Sequence, residues 1–183
     1  MRSAPARGAP AETEAFAASA ITRCPSADIP TFIVHGLPHV RAALAAAADY
    51  GAQIRLLFPF SFAAALGPEV AREVVVRARA EMPGHCFEWV LDCADEPGLA
   101  LSALRAGIGV VRFDAGEPAA DRLADIARQL GARIDPRRME PRALDLANLR
   151  DPLRACRKWL ANGAAGAGVA ADATLPTPGG RCI

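Results

Sequence analysis

Several apolar runs of this chain end on polar residues, and the types of those residues set the chemistry to consider. Asp92 closes the run "WVLD". A carboxylate there is costly to bury unless it is paired. Arg112, ending "VVR", is its natural partner. Together they could bind a polar substrate, with the carboxylate as base or metal ligand. His35 ends "TFIVH" and is the second candidate catalytic residue. Arg112, Asp114 and Ser61 are candidate contacts to a small anionic ligand, and Asp135 with Arg137 completes the polar strand ends.

Each candidate has a plainer reading. Asp92 could form a structural ion pair or cap a loop amide. Asp95 and Glu96 before Pro97 have the composition of a helix start, which makes capping their expected role. Asp114 with Gly116 suits a turn. Cys93 would be nucleophilic only with a lowered pKa, and the carboxylate beside it acts the other way, so it reads as buried filler. His35 and His39 have the i, i+4 spacing of a metal pair, but Gly36 and Pro38 lie between them. Pro38 starts a helix and leaves His35 outside it, so the two need not share a face, and no metal site is assigned. His85 follows "MPG" in a loop and reads as solvated. "PRRMEPR", residues 136–142, reads as a solvated connection to the last helix.

Several chemistries are excluded. No G-x-x-x-x-G-K-[ST] or G-x-S-x-G occurs. "GAAGAG" follows a helix with no strand before it, so it is not a dinucleotide fingerprint. Lys158 is the only lysine and lies in the last helix, which disfavours a Schiff-base aldolase or a pyridoxal enzyme. No motif names a cofactor. A net charge of +1 argues against a general nucleic-acid binder. Five scattered cysteines without a C-x-x-C pair fit a reducing cytoplasm. No run approaches the roughly 20 apolar residues of a membrane span.

These residues need elements to position them. "TFIVHG", "AQIRLLFPF", "CFEWVLDC", "VVRF" and "ARID" read as buried strands. Helical stripes separate them: Val40, Ala43, Leu44 and Ala47; then Val70, Val74, Ala78 and Met82; then Ala100, Leu101 and Leu104; then Leu123, Ile126, Ala127 and Leu130. A last helix sets Leu153, Cys156 and Leu160 on one side. Gly51, Gly84, Gly107 and Gly131 stand where helices should end. Residues 1–29 read as a flexible arm, 30–162 as one α/β domain and 163–183 as a disordered tail.

Strand–helix alternation implies right-handed βαβ units and a parallel sheet. About five such units suit a half-TIM-barrel-like fold, with a flavodoxin-like doubly wound sheet as the alternative. A half barrel exposes an apolar layer, so a homo-oligomer is expected.

"FIVHGLPHVRAALAAAADYGAQIRLL" and "VLDCADEPGLALSALRAGIGVVRF" together resemble a family of small bacterial βα-repeat proteins with no established activity. The resemblance covers about two thirds of the chain and implies the fold. "ALRAGIGVVRF" is also similar in style to units of phosphate-binding and aldolase-type barrels. Two functional readings follow. One is a noncatalytic domain that binds itself or a partner. The other is a small-molecule lyase or isomerase using Asp92, His35 and Arg112 at the strand ends. The missing catalytic motifs and alanine-rich faces favour the first.

Overall fold

The computed structural model describes residues 29–114, 116, 118–136 and 143–164, with 163 and 164 as backbone only. The expected arm and tail lie almost wholly outside the described residues, as do Arg137 and most of the 136–142 loop. The strands are β1 (Thr31–Ile33), β2 (Ile54–Phe58), β3 (Phe87–Asp92), β4 (Val110–Arg112), β5 (Arg133–Asp135) and β6 (Ala143–Asp145). The helices are α1 (Leu37–Tyr50), α2 (Phe60–Leu66), α3 (Pro68–Glu81), α4 (Pro97–Arg105), α5 (Ala119–Gln129) and α6 (Pro152–Ala164). All described strand pairs are parallel, in the order β5-β4-β3-β2-β1-β6.

Strands β1 to β5 are neighbours in chain order. A doubly wound sheet would reverse direction near its middle. Sequential order is that of a (β/α) barrel, and β6 returns beside β1, where the last strand of a closed barrel belongs. The fold is α/β and half-barrel-like. The second unit is longer than the others, and its added segment "PFSFAAALGPEV" holds the extra short helix α2.

Strict alternation divides the side chains between two faces. Phe32, Val34, Ile54, Leu56, Phe58, Trp89, Leu91, Val111 and Phe113 join the helices in the main core. Leu57, Val90 and Val110, with Ile33 against them, form a separate small cluster on the opposite face. On that face Arg55 bonds Glu88 at 2.5 Å, Arg133 bonds the other oxygen of Glu88, and Arg112 meets Asp135 at 3.3 Å. The exposed apolar layer expected of a half barrel is therefore not what these strands present: Leu57, Val90 and Val110 are all buried. No helix among the described residues is long and apolar enough to cross a membrane.

Gly51, Gly107 and Gly131 stand at helix ends, whereas α3 is capped at Met82, two residues before Gly84. Gly51 adopts φ 58° and donates to Ala47 and Ala48 carbonyls, a left-handed cap that a Cβ would strain. The stripe expected on α3 holds at Ala78, with Val74 and Met82 packed against the core, but not at Val70. The helix buries Ala71, Val75 and Ala78, while Val70 is 41% exposed. Pro68 opens the helix and is itself buried, so the inward face runs through Pro68, Ala71, Val75 and Ala78, at spacings of three and four. Val75→Ala should therefore cost about 1.5–3 kcal/mol, the worth of a fully buried valine. Val70→Ala should cost under about 0.5 kcal/mol. Urea unfolding of both variants checks the face.

One strand was not expected. β6 follows directly on the 136–142 segment, between it and the last helix. Leu144 and Leu146 turn toward the main core and Ala143 and Asp145 to the opposite face, an alternation too short to stand out in the sequence.

Candidate active site

By alternation His35, Asp92, Arg112, Asp135 and Asp145 all occupy the face opposite the helices, at the C-terminal ends of their strands. This is where parallel α/β folds place their sites. Asp92, Arg112 and Asp135 stand in one transverse row, since Arg112 is in register with Asp92 on one side and Asp135 on the other. On the far side of the sheet, Ile33 pairs in register with Asp145, which sets His35 just beyond it.

His35 and Asp145 form the closest polar contact of this rim. His35 Nε2 lies 2.7 Å from Asp145 Oδ1, a distance suited to an N–H donating to a carboxylate. The Asp145 Oδ1 also accepts the Ala147 amide at 2.9 Å. The carboxylate is thus fixed by its own turn as well as by the imidazole. With its Nε2 proton committed to Asp145, a neutral His35 keeps its lone pair on Nδ1, the arrangement of an oriented base. Both side chains remain partly open to solvent.

His39 joins this pair. Its Nδ1 accepts the His35 backbone N–H at 3.2 Å, and the two rings meet edge-on with centroids 5.8 Å apart. Proline opens the helix and His39 occupies its first turn, so the ring reaches back over the strand end. Burial lowers the His39 pKa below 6.5, and a charge on His35 lowers it further, against the pull of Asp145. Burial raises Asp145, but the Ala147 amide, the His35 hydrogen bond and the two histidine charges outweigh it and hold the carboxyl low.

The sign of the pH dependence follows. Both groups bind protons less readily when folded than when unfolded, so their contribution is present above the unfolded pKa values and is lost as pH falls. The loss should begin below about 6.5 with His39 and continue into the carboxylate range near 4 with Asp145. Replacing His39 by asparagine should flatten the fall of unfolding free energy between about pH 7 and 5. Chemical unfolding across that range reads the difference directly.

The other expected residues go elsewhere. Asp92 Oδ1 accepts the Ala94 amide at 2.9 Å and serves a turn. The ion pair seen for Arg112 is with Asp135, buried on both sides, rather than with Asp92. The guanidinium lies between two acids in register, and the more deeply buried one takes it. Ala94 adopts φ 47°, uncommon for alanine, and its carbonyl accepts the Asp114 amide at 2.8 Å. Asp92 and Asp114 are thereby tied to the same strained residue. Glu96 stands at the N-cap of α4, but its side chain makes no capping bond. Ser61 is exposed in the first turn of α2, and His85 is exposed. Cys93 is fully buried, and burial first, then Asp92, pushes its thiol up to about 12.

Sequence reasoning missed Asp145. A signal for it existed. "LDCA" at 91–94 recurs as "LDLA" at 144–147, and both segments fold alike. In each, the aspartate accepts the amide two residues on, and the next residue is buried and donates to the neighbouring strand. The repeat marks both as strand ends.

Two solved structures align with part of this chain. A protein assigned as a fructose-1,6-biphosphate aldolase from Coccidioides immitis aligns with TM-score 0.50 and 17% identity, over 67% of this chain and 42% of its own. A protein assigned as a tagatose 6 phosphate kinase from Sinorhizobium meliloti 1021 aligns with TM-score 0.43 and 15% identity, over 75% of this chain and 46% of its own. The chain spans less than half the length of either. No family model and no curated protein matches the sequence. At such identity the first likeness bears on fold alone, and the second carries no argument. The chain is an α/β protein whose parallel sheet resembles that of an aldolase-type structure.

Proposed function

We propose that this protein is a small-molecule enzyme of lyase or isomerase type, which moves a proton at the C-terminal rim of its sheet. The observation that carries the proposal is the 2.7 Å contact between His35 and Asp145. An imidazole oriented by a fixed carboxylate, partly open to solvent, is suited to general base work. In this reading His35 is the base and Asp145 its orienting partner. Asp92 and Arg112 shape the rim, and Asp114 and Ser61 remain candidate ligand contacts. The ligand is a small molecule with an anionic or carbonyl group. The barrel-like placement of these residues supports the reading, because catalytic groups in such folds come from the ends of several strands.

A thermal-shift screen with sugar phosphates and small carboxylic acids tests it. At least one compound should raise the melting temperature of the wild type, and the shift should vanish in His35→Asn and Asp145→Asn. A shift unchanged in both variants would place the ligand elsewhere.

A second reading, a noncatalytic self-associating domain, has one observation in its favour. Phe60, Leu66 and Val70 are exposed large apolar side chains on α2 and the start of α3. Light scattering that showed a dimer, lost on Leu66→Glu, together with a blank ligand screen, would favour it.

A further inference from the structure

We infer that His39 acts as a neutral hydrogen-bond donor to a carbonyl oxygen, which makes the substrate of this rim an aldehyde or ketone with an acidic α C–H. The inference rests on the reading of His35 as a base. Its ground is a matter of proton placement. A backbone N–H can only donate, so the bond from the His35 amide to His39 Nδ1 requires a lone pair on that nitrogen. The neutral ring then carries its proton on Nε2, on the side turned away from the backbone. Two imidazoles at one strand end thus hold complementary states. His35 commits its Nε2–H to Asp145 and keeps a lone pair on Nδ1, while His39 commits its Nδ1 lone pair to the backbone and keeps an N–H on Nε2.

A base and a donor 5.8 Å apart between ring centroids match the needs of one reaction. His35 Nδ1 takes the proton from the α carbon. The C–H electron pair becomes the new C=C bond, and the carbonyl π pair moves onto oxygen. The Nε2–H of His39 bonds that oxygen as its charge grows. A neutral imidazole suits this task because its pKa lies closer than that of an imidazolium to that of the enol it stabilises. The proton on His35 exchanges with water and returns to carbon, so the step is balanced without any further reactant. No such task exists for a carboxylate or phosphate ligand, which would favour an imidazolium.

The test is deuterium wash-in at the α carbons of hydroxyacetone in D₂O, followed by proton NMR, with two substitutions that separate the nitrogens. In His39→Gln the side-chain amide can place an N–H near the position of Nε2 but offers the backbone no acceptor at the position of Nδ1. In His39→Asn the side-chain oxygen can accept the backbone N–H but nothing replaces the Nε2 proton. The wild type should exchange faster than buffer, His39→Gln should keep most of the rate, and His39→Asn should lose on the order of 100-fold. The reverse order, with His39→Asn active and His39→Gln slow, would assign His39 a structural role and overturn the inference. A wild type no faster than buffer would overturn the carbonyl class, while the ligand screen on His35 variants still decides the base. Exchange that survives His35→Asn would instead remove the base and leave no partner for the donor. Nitrogen-15 spectra should show neutral His39 with its proton on Nε2 at pH 7; a proton on Nδ1 would also overturn the inference.

Discussion

Asp135→Ala should destabilise the fold by about 3–5 kcal/mol, the cost of removing one partner from a buried ion pair. Arg112 and Asp135 are each only 2% exposed, and their side chains meet at 3.3 Å. Removing the carboxylate leaves a guanidinium buried without this counter-charge. The loss is a large share of the 5–15 kcal/mol that typically holds a domain together. Removing both charges should behave differently. Arg112→Met combined with Asp135→Leu should recover most of the stability, because well-packed apolar pairs often replace buried ion pairs at little cost. Guanidinium unfolding of the single and double variants measures both numbers. A loss below about 1 kcal/mol in Asp135→Ala would mean that the pair is solvated, as surface pairs are.

His35→Asn should lower proton-transfer activity by about 10²–10⁴-fold, the usual contribution of a positioned general base. Stability should change little, since the ring is partly exposed and its loss opens no core cavity. Asp145→Asn should reduce the rate less, because the base survives but loses the group that orients it. The turn should persist in that variant, as an asparagine oxygen can still accept the Ala147 amide. The rate of deuterium wash-in, or turnover of a compound found by the thermal-shift screen, reads the effect. Equal activity in wild type and His35→Asn would remove the rim pair from the chemistry.

The parts of this structure legible in the sequence were those carried by burial. β2 and β3 are buried on their helix-facing side by Ile54, Leu56, Phe58, Trp89 and Leu91, and such residues announce a strand. The glycines at 51, 107 and 131 announced helix ends because each needs a positive φ. The α3 stripe was misplaced only at Val70, while Val75 is the fully buried valine. Val70 and Val74 are as apolar as Val75, and composition alone does not choose which valine turns inward. β6 escaped because its alternation, Leu144 and Leu146 toward the core about an exposed Asp145, is too short to stand out.

The site was legible only in part. Strand ends are predictable once strands are, so the sequence pattern alone points to His35, Asp92, Arg112 and Asp135. Partner choice was not. Asp92 and Asp135 are both in register with Arg112, and the difference between them is burial, with Asp92 half-buried and Asp135 inside. His35 and Asp145 are 110 residues apart, and their contact depends on β6 returning beside β1. No spacing rule reaches that far. The return itself required the strand that left the weakest trace.

In the proposed site Asp145 fixes His35 with its proton on Nε2 and its lone pair on Nδ1. Nitrogen-15 NMR of histidine-labelled protein, compared between wild type and Asp145→Asn, tests it most directly. In the wild type above the histidine titration, the His35 proton should reside on Nε2, with the Nδ1 resonance that of an unprotonated nitrogen. In Asp145→Asn that preference should weaken, and the resonances should shift toward a mixture of tautomers. A wild-type His35 that already shows the mixture, or a proton on Nδ1, would contradict the account.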